Sequence, residues 1–328
     1  MKPVRWGVLS PAKIGMEKVI PAMLKSKELE VVALASRDLG RAQAACKQLG
    51  IPKAYGSYEE LLADPSIEAV YNPLPNHLHV PLTLQAVAAG KHVLCEKPIA
   101  ITAKEAEQLR GVPKTMLVAE AFMMRHHPQW LMARDLAKSG ALGEVHAIQV
   151  LFAYRLLDPT NVRNNAGIGG GGMLDIGCYP VTGARFVFDA EPARVIALID
   201  RDPAFKTDRL ASGIADFGSG RQLTFTVGTQ SMNFQRVQVL GSTGRFEINI
   251  PFNAPQDTPT VVRLHTEGKA VETIEIPVAD QYTLQAEAFG RAVRGQQPLA
   301  HGVESAIQNM RILDAFFRSE TSGRWESV

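Results

Sequence analysis

The sequence predicts a doubly wound, parallel α/β domain followed by an α+β domain built on a large, mainly antiparallel sheet. Three observations carry this. Through Ala119, short apolar runs alternate with helical periodicities. From Glu144 onward, strand candidates follow one another closely, separated by turns such as Gly218-Ser219-Gly220 and Gly241-Ser242-Thr243-Gly244. At 328 residues the chain exceeds the usual size of one compact domain. The division is placed at residues 1–121 and 122–328.

In the first domain, Val4 to Leu9 reads as a strand and Lys13 to Lys25 as the helix after it. The turn between them, Ser10-Pro11-Ala12-Lys13-Ile14-Gly15, occupies the place of a G-x-G-x-x-G dinucleotide turn, with Ser10 and Ala12 standing for its first two glycines. Small residues there still let a pyrophosphate approach the helix N-terminus, so Ser10, Ala12, Lys13 and Ile14 are candidate cofactor contacts. A second strand, Glu30 to Ser36, ends where a dinucleotide fold reads the ribose. Ser36 and Arg37 offer a hydroxyl and a guanidinium, which suit the extra phosphate of NADP. Asp38, one position late, keeps NAD possible. Helices follow near Arg41 to Leu49 and Tyr58 to Ala63, then a strand at Ala69 to Asn72 and a helix from Val80 to Ala89.

Two loops leave carboxyl strand ends, where open α/β sheets bind ligands. Pro73-Leu74-Pro75-Asn76-His77-Leu78-His79 places Pro73, Asn76 and His79 at the expected cofactor crevice. His77 and His79 have no third ligand near in sequence, so no metal site is expected. In Gly90 to Pro98 the run His92 to Cys95, short and flanked by breakers, reads as a buried parallel strand that stops at Glu96, Lys97 and Pro98, which puts Glu96 and Lys97 at the crevice and Lys97 in place for chemistry.

Composition narrows the partners. With 35 basic and 33 acidic residues spread along the chain, no basic face for nucleic acid stands out. No run of eighteen apolar residues suggests a membrane span, and the first strand begins too early for a signal peptide. Cys46, Cys95 and Cys178 are too few and too scattered for a disulfide framework or a zinc site, which fits a reducing cytoplasm.

The order of small-residue turn, Ser36-Arg37, Asn76-x-x-His79 and Ala89-Gly90-Lys91-His92-Val93-Leu94-Cys95-Glu96-Lys97-Pro98 resembles the glucose-fructose oxidoreductase, inositol dehydrogenase and MocA family. The resemblance continues through Glu120-Ala121-Phe122-Met123-Met124-Arg125. It implies an NAD(P)-binding Rossmann domain and an α+β domain whose open-faced sheet pairs with a partner subunit. An apolar sheet face of that size would be too large to leave in water, so a homodimer or higher homo-oligomer is expected.

In the second domain a helix is read from His127 to Lys138 and a long strand from Glu144 to Leu157, with further strands between Arg194 and Ile276. The segment from Gly167 to Pro180 concentrates the chemistry. Its glycines allow a close backbone approach to a ligand. Asp175 and Tyr179 fall on one face if a helical turn joins them, and Pro180 is acceptable where the helix begins or kinks. Family members frequently carry histidine at the position of Tyr179; tyrosine resembles the glucose-fructose oxidoreductase, D-xylose dehydrogenase and dimeric dihydrodiol dehydrogenase branch. A phenol needs a cation to serve as a base near neutrality. The resemblance therefore implies Lys97, Tyr179 and Asp175 as catalytic residues, with Lys97 favouring the tyrosinate and Asp175 bonding the substrate. Arg125 is expected to face the cleft, and Arg155 and Arg163 to reach sugar hydroxyls.

Retention of Lys97, Asp175 and Tyr179 together favours an enzyme over an NADP-binding sensor. The branch implies an aldose 1-dehydrogenase giving a lactone from a sugar or polyol substrate. The alternatives it leaves open are trans-dihydrodiol oxidation, 1,5-anhydrofructose reduction and aldose-aldose exchange on a tightly bound cofactor.

Overall fold

The computed structural model describes residues 2–328, and the chain separates into two compact units. The first carries a parallel six-stranded sheet in the order β3-β2-β1-β4-β5-β6. Its strands are β1 Val4–Val8, β2 Leu29–Ala35, β3 Lys53–Tyr55, β4 Ala69–Asn72, β5 His92–Cys95 and β6 Val118–Glu120. β4 is buried along its whole length, and β1, β2 and β5 nearly so, because helices cover both faces. Between β1 and β2 run a π turn, Gly15–Val19, and α1, Ile20–Leu24. α2 (Leu39–Leu49) begins two residues before the expected Arg41, since the Asp38 carboxylate caps it by accepting from Arg41 N–H at 3.1 Å. α3 is Tyr58–Ala63 and α4 is His79–Ala88. A methyl at Gly7 would lie 2.7 Å from Leu61 of α3, so glycine in β1 admits that helix. A short helix, α5 Ala103–Ala106, precedes β6.

Two consecutive domains were expected, divided at 121/122. The first unit instead runs through Met123 and takes back Tyr282–Gln308. The reason is the apolar face of α8, Gln281–Val293. Phe289 packs tilted on Trp6 of β1, ring centroids 5.5 Å apart, and Gly290 passes so close to Leu29 of β2 that a Cβ would sit 3.0 Å from it. Arg294 then forks onto both Glu68 oxygens at 2.7 and 2.8 Å and reaches the Pro3 carbonyl. Periodicity showed that this helix buries a face but not which surface receives it.

The second unit comprises Met124–Gln281 and Asn309–Val328. After α6 (Pro128–Lys138) come β7 Val145–Arg155, α7 Cys178–Phe188, β8 Arg194–Arg201, β9 Asp208–Asp216, β10 Gln222–Gly228, β11 Gln230–Gly241, β12 Gly244–Ile248, β13 Thr260–Thr266, β14 Glu272–Ile276, and finally α9 Val303–Ser322 and β15 Glu326–Ser327. The sheet order is β14-β13-β12-β11-β7-β10-β9-β8-β15, with β10 and β7 parallel and the other pairs antiparallel. Alternation along the strands sorts its two faces. Ile148, Val150, Phe152, Leu223, Phe225, Val227, Val237 and Val239 are buried, with Phe316 of α9 edge-on to Phe225. On the opposite face Leu151, Leu198, Leu210, Ile214 and Leu240 are exposed. Among the described residues, no helix is long and apolar enough to cross a membrane.

His127 opens α6. Its Nδ1 accepts from Gln129 N–H at 3.3 Å, which fixes a neutral ring. Burial pushes the pKa of His127 down to about 4 from 6.5, and burial with the neighbouring Arg125 does the same for His126. A histidine held below its unfolded pKa stabilises the fold fully above that pKa, and the contribution is lost as pH falls through 6.5 toward 4. In His127→Asn, whose side-chain oxygen still caps the helix, the unfolding free energy measured in urea should fall less steeply across that window than in the parent. An unchanged slope would show that His127 is not the proton acceptor.

Candidate active site

In the first unit the strand order reverses between β1 and β4, and the loops at the carboxyl ends of β1, β2, β4 and β5 therefore gather at one edge of the sheet. The turn after β1 holds Ser10, Ala12 and Ile14 half-buried and Lys13 exposed. Met16 N–H bonds the Ala12 carbonyl at 3.0 Å, so the helix starts at the expected place. After β2, Ser36 is buried while Arg37 is exposed. Asp38 is occupied as the α2 cap. The Arg37 side chain hydrogen-bonds the Tyr58 phenol, on which Arg41 also acts electrostatically. Sequence reasoning missed Arg41 and Tyr58; the spacing of Arg37 and Arg41 was the available signal.

The loop carrying Lys97 is held from both sides. Tyr71 of β4 donates to Glu96 Oε1 at 2.7 Å, and Glu96 Oε2 accepts from Lys97 N–H at 3.3 Å. On the far side, the two ring nitrogens of His79 lie 2.6 Å from the carbonyl oxygens of Pro98 and Leu74, and Ile99 N–H bonds Glu120 at 2.8 Å. His79 was expected to contact cofactor. It is instead wholly buried, and its ring ties the β4 loop to the β5 loop. Pro73 is buried and Asn76 half-buried in the same β4 loop, and Lys97 is half-buried.

In the second unit the glycine run leads into a helix whose opening turn, Met173–Gly177, is a π turn continued by α7. Pro180, the third residue of α7, thus lies inside the helix directly after this π turn, an irregularity of the kind a proline there is associated with. Asp208 of β9 caps this start: its Oδ2 accepts from Met173 N–H. Burial pushes the Asp208 carboxyl up to about 6, against that bond. The glycines answer to packing within the chain. Gly171 has φ +119, and a Cβ there would land on the Asp208 carboxylate. A Cβ at Gly170 would sit 2.6 and 2.7 Å from the Arg163 and Asn165 carbonyl oxygens.

Asp175 and Tyr179 lie on the opening turns of this one helix. Asp175 Oδ1 is 3.0 Å from Arg163 Nε, and Oδ2 accepts from the Tyr154 hydroxyl at 2.6 Å. Burial and then the Asp175 charge hold Tyr154 far above an ordinary phenol, so it stays a proton donor. Tyr179 is 5% exposed, with its ring 5.1 Å from that of Phe252 and edge-on to Phe152 at 5.8 Å. Of the three arginines expected at the substrate, Arg163 joins Asp175, Arg125 is buried in a short turn after β6, and Arg155 is exposed at the end of β7. Tyr154 and Asp208 were missed. Tyr154 falls in phase with Ile148, Val150 and Phe152, a signal that was present, whereas nothing in sequence singled out Asp208. Among the described residues no cluster of His, Cys, Asp and Glu has metal-binding geometry.

A doubly wound domain with a lysine at the end of β5, in a chain whose second unit holds a buried tyrosine and a carboxylate on one helix, has the parts of a nicotinamide-dependent oxidoreductase. The chain belongs to the GFO/IDH/MocA oxidoreductase family: residues 4–114 match the family's NAD-binding Rossmann fold and residues 130–247 its C-terminal domain. Over 99% of both chains it is 47% identical to an uncharacterized oxidoreductase of Rhizobium meliloti. It is 38% identical to a D-xylose 1-dehydrogenase (NADP(+)) of Haloferax volcanii, over 97% of this chain and 98% of the relative. The crystal structure of KijD10, a 3-ketoreductase from Actinomadura kijaniata in complex with NADP and TDP-benzene, superposes with a TM-score of 0.90 at 29% identity, covering 97% of this chain and 98% of that one.

Proposed function

We propose that this oxidoreductase uses NADP to oxidise C1 of an aldopyranose to the lactone, as a D-xylose dehydrogenase-like aldose 1-dehydrogenase. The observation that carries the reading is Tyr179 and Asp175 on the opening turns of one helix, in a chain that also keeps Lys97 at the end of β5. The 38% identity to the Haloferax volcanii enzyme supports the substrate class. The residues after β2 fit NADP, because Asp38 is engaged as a cap while Arg37 and Arg41 set two guanidinium groups around Tyr58. When bound, NADP supplies the hydride acceptor.

The chain's own residues manage the proton. The ionised Tyr179 oxygen takes the proton of the C1 hydroxyl as the C1–H bond gives up its electron pair, leaving C1=O. Lys97 is assigned to the same step as the cation that favours the ionised phenol. Tyr179→Phe should then lower kcat on the best aldose by about 10² to 10⁴ while nucleotide binding persists, and Lys97→Ala should do comparable harm. Near-normal turnover by Tyr179→Phe would make the tyrosine structural.

The likeness to KijD10 favours one second reading, reduction of a keto group on a nucleotide-linked sugar. Screening aldoses with NADP against TDP-ketosugars with NADPH separates the two. The first reading fails if only the latter are turned over.

Arg37→Ala should raise Kd for NADP about tenfold or more and leave that for NAD nearly unchanged. Equal losses for both nucleotides would reject a phosphate role for Arg37.

The uncovered sheet face is also assigned to a homodimer. Leu198 is 79% exposed, and Leu151, Leu210 and Ile214 extend the same apolar surface across neighbouring strands. Light scattering at micromolar concentration should give a dimer or a multiple of it, and Leu198→Glu should weaken it. A monomeric parent would overturn this assignment.

A further inference from the structure

Arg163 was expected to donate to substrate; in the structure its guanidinium pairs with Asp175. Nε lies 3.0 Å from Asp175 Oδ1, and the charge of Asp175 is the strongest influence on it, raising its pKa above the ordinary range. Tyr154 and Tyr179 act on it in the same sense. The backbone of Arg163 is fixed as well. Its N–H bonds Asn161 Oδ1 at 3.1 Å, and its carbonyl accepts from Gly171 N–H at 2.9 Å, next to Gly170, where a side chain would not fit.

The consequence is electrostatic. The Asp175 side chain is only 14% exposed and belongs to the turn before Tyr179. A bare carboxylate there opposes ionisation of the phenol, whereas a carboxylate paired with a guanidinium does not. In the second unit, the titratable groups that act on one another here include Asp175 on the π turn, Tyr154 on β7, Tyr179 on α7 and Asp208 on β9, the last acting on Tyr154 and itself acted on by Arg201 and Glu320. Arg163 is the positive charge that pairs with Asp175.

We propose that Arg163 is a positioning residue: it neutralises Asp175, and so keeps the Tyr179 phenol able to lose its proton near neutral pH. The proposal rests on Tyr179 being the proton acceptor of the proposed reaction. Because the Arg163 side chain is 44% exposed, solvent screens it, and the effect should be about one pH unit, at the low end of what a close charge produces.

The test follows the tyrosine itself, with no substrate. Protein labelled at tyrosine Cζ is titrated by NMR, and the Tyr179 signal is identified as the one absent in Tyr179→Phe. Arg163→Gln should raise the Tyr179 midpoint by about one pH unit, Arg163→Lys should restore most of it, and the double variant Arg163→Gln with Asp175→Asn should bring it back toward the parent, because no bare carboxylate remains. On the best aldose, the alkaline rise of kcat should shift by the same amount in Arg163→Gln. A purely structural arginine would lower kcat at every pH and leave the midpoint in place.

An unchanged midpoint in folded Arg163→Gln overturns the proposal, as does a shift that Asp175→Asn fails to reverse. Should Arg163→Gln not fold, Arg163→Lys and Arg163→Met decide together: a midpoint in Arg163→Lys nearer the parent's than that in Arg163→Met supports the proposal, and equal midpoints in the two variants overturn it. Failure of the parent to oxidise any aldose would remove the proposed reaction but leave the titration result standing, so the two failures are distinct.

Discussion

One buried carboxylate, Asp208, determines where the helix bearing Asp175 and Tyr179 begins. An ionised carboxylate at a helix start gains from the unsatisfied N–H groups and the local dipole, while burial works against the charge. The balance leaves Asp208 with a pKa of about 6, raised from 3.8. The contact depends on close approach by Gly171, whose φ of +119 is a conformation that side chains rarely adopt. Gly171 then gives its carbonyl to Asp175 N–H at 3.0 Å and its own N–H to the Arg163 carbonyl. A short relay thus runs from Asp208 through the glycine run to Arg163 and Asp175, and the lack of side chains at Gly170 and Gly171 is its steric requirement.

The first unit solves a similar problem with different groups. Lys97 sits on a loop, and loops place side chains less strictly than strands do. Here Tyr71 orients Glu96 on one side, while the buried ring of His79 bridges to Pro98 on the other. Tyr71 lies in β4, the strand paired with β5, and His79 opens α4. The residues on either side of Lys97 are therefore held to this framework through two hydrogen-bonded side chains.

How much of this was legible depended on what each pattern encodes. Parallel strands buried on both faces are continuous apolar runs, so β4 and β5 stood out in sequence at their observed limits. β3 escaped because three residues opening with an exposed lysine leave no period to read. The histidine pair His77 and His79 looked alike in sequence, yet His79 is wholly buried and His77 is half-buried, a distinction set by tertiary packing alone. Arg163 could be picked as a candidate, but its partner could not. The segment Asp158-Pro159-Thr160-Asn161-Val162-Arg163-Asn164-Asn165 is organised by side-chain bonds to nearby main-chain groups, which fix local turns without indicating what lies across from them.

The Asp175–Arg163 pair is also unequal in a way that suits a device more than a brace. The Asp175 side chain is 14% exposed and that of Arg163 44%. The desolvation cost therefore falls mainly on Asp175, which meets it with two bonds, one from Arg163 and one from the buried Tyr154 hydroxyl. Arg163 is the more exposed partner, and a pair of this kind contributes little to stability. Its positive charge nevertheless remains at a fixed place beside Tyr154, Asp175 and Tyr179, because the turn that carries it is pinned by Gly170 and Gly171. Stability in this region is thus carried by the glycine contacts, the Asp208 cap and the aromatic packing of Tyr179 on Phe152 and Phe252. The electrostatics are carried by Arg163, paired with Asp175.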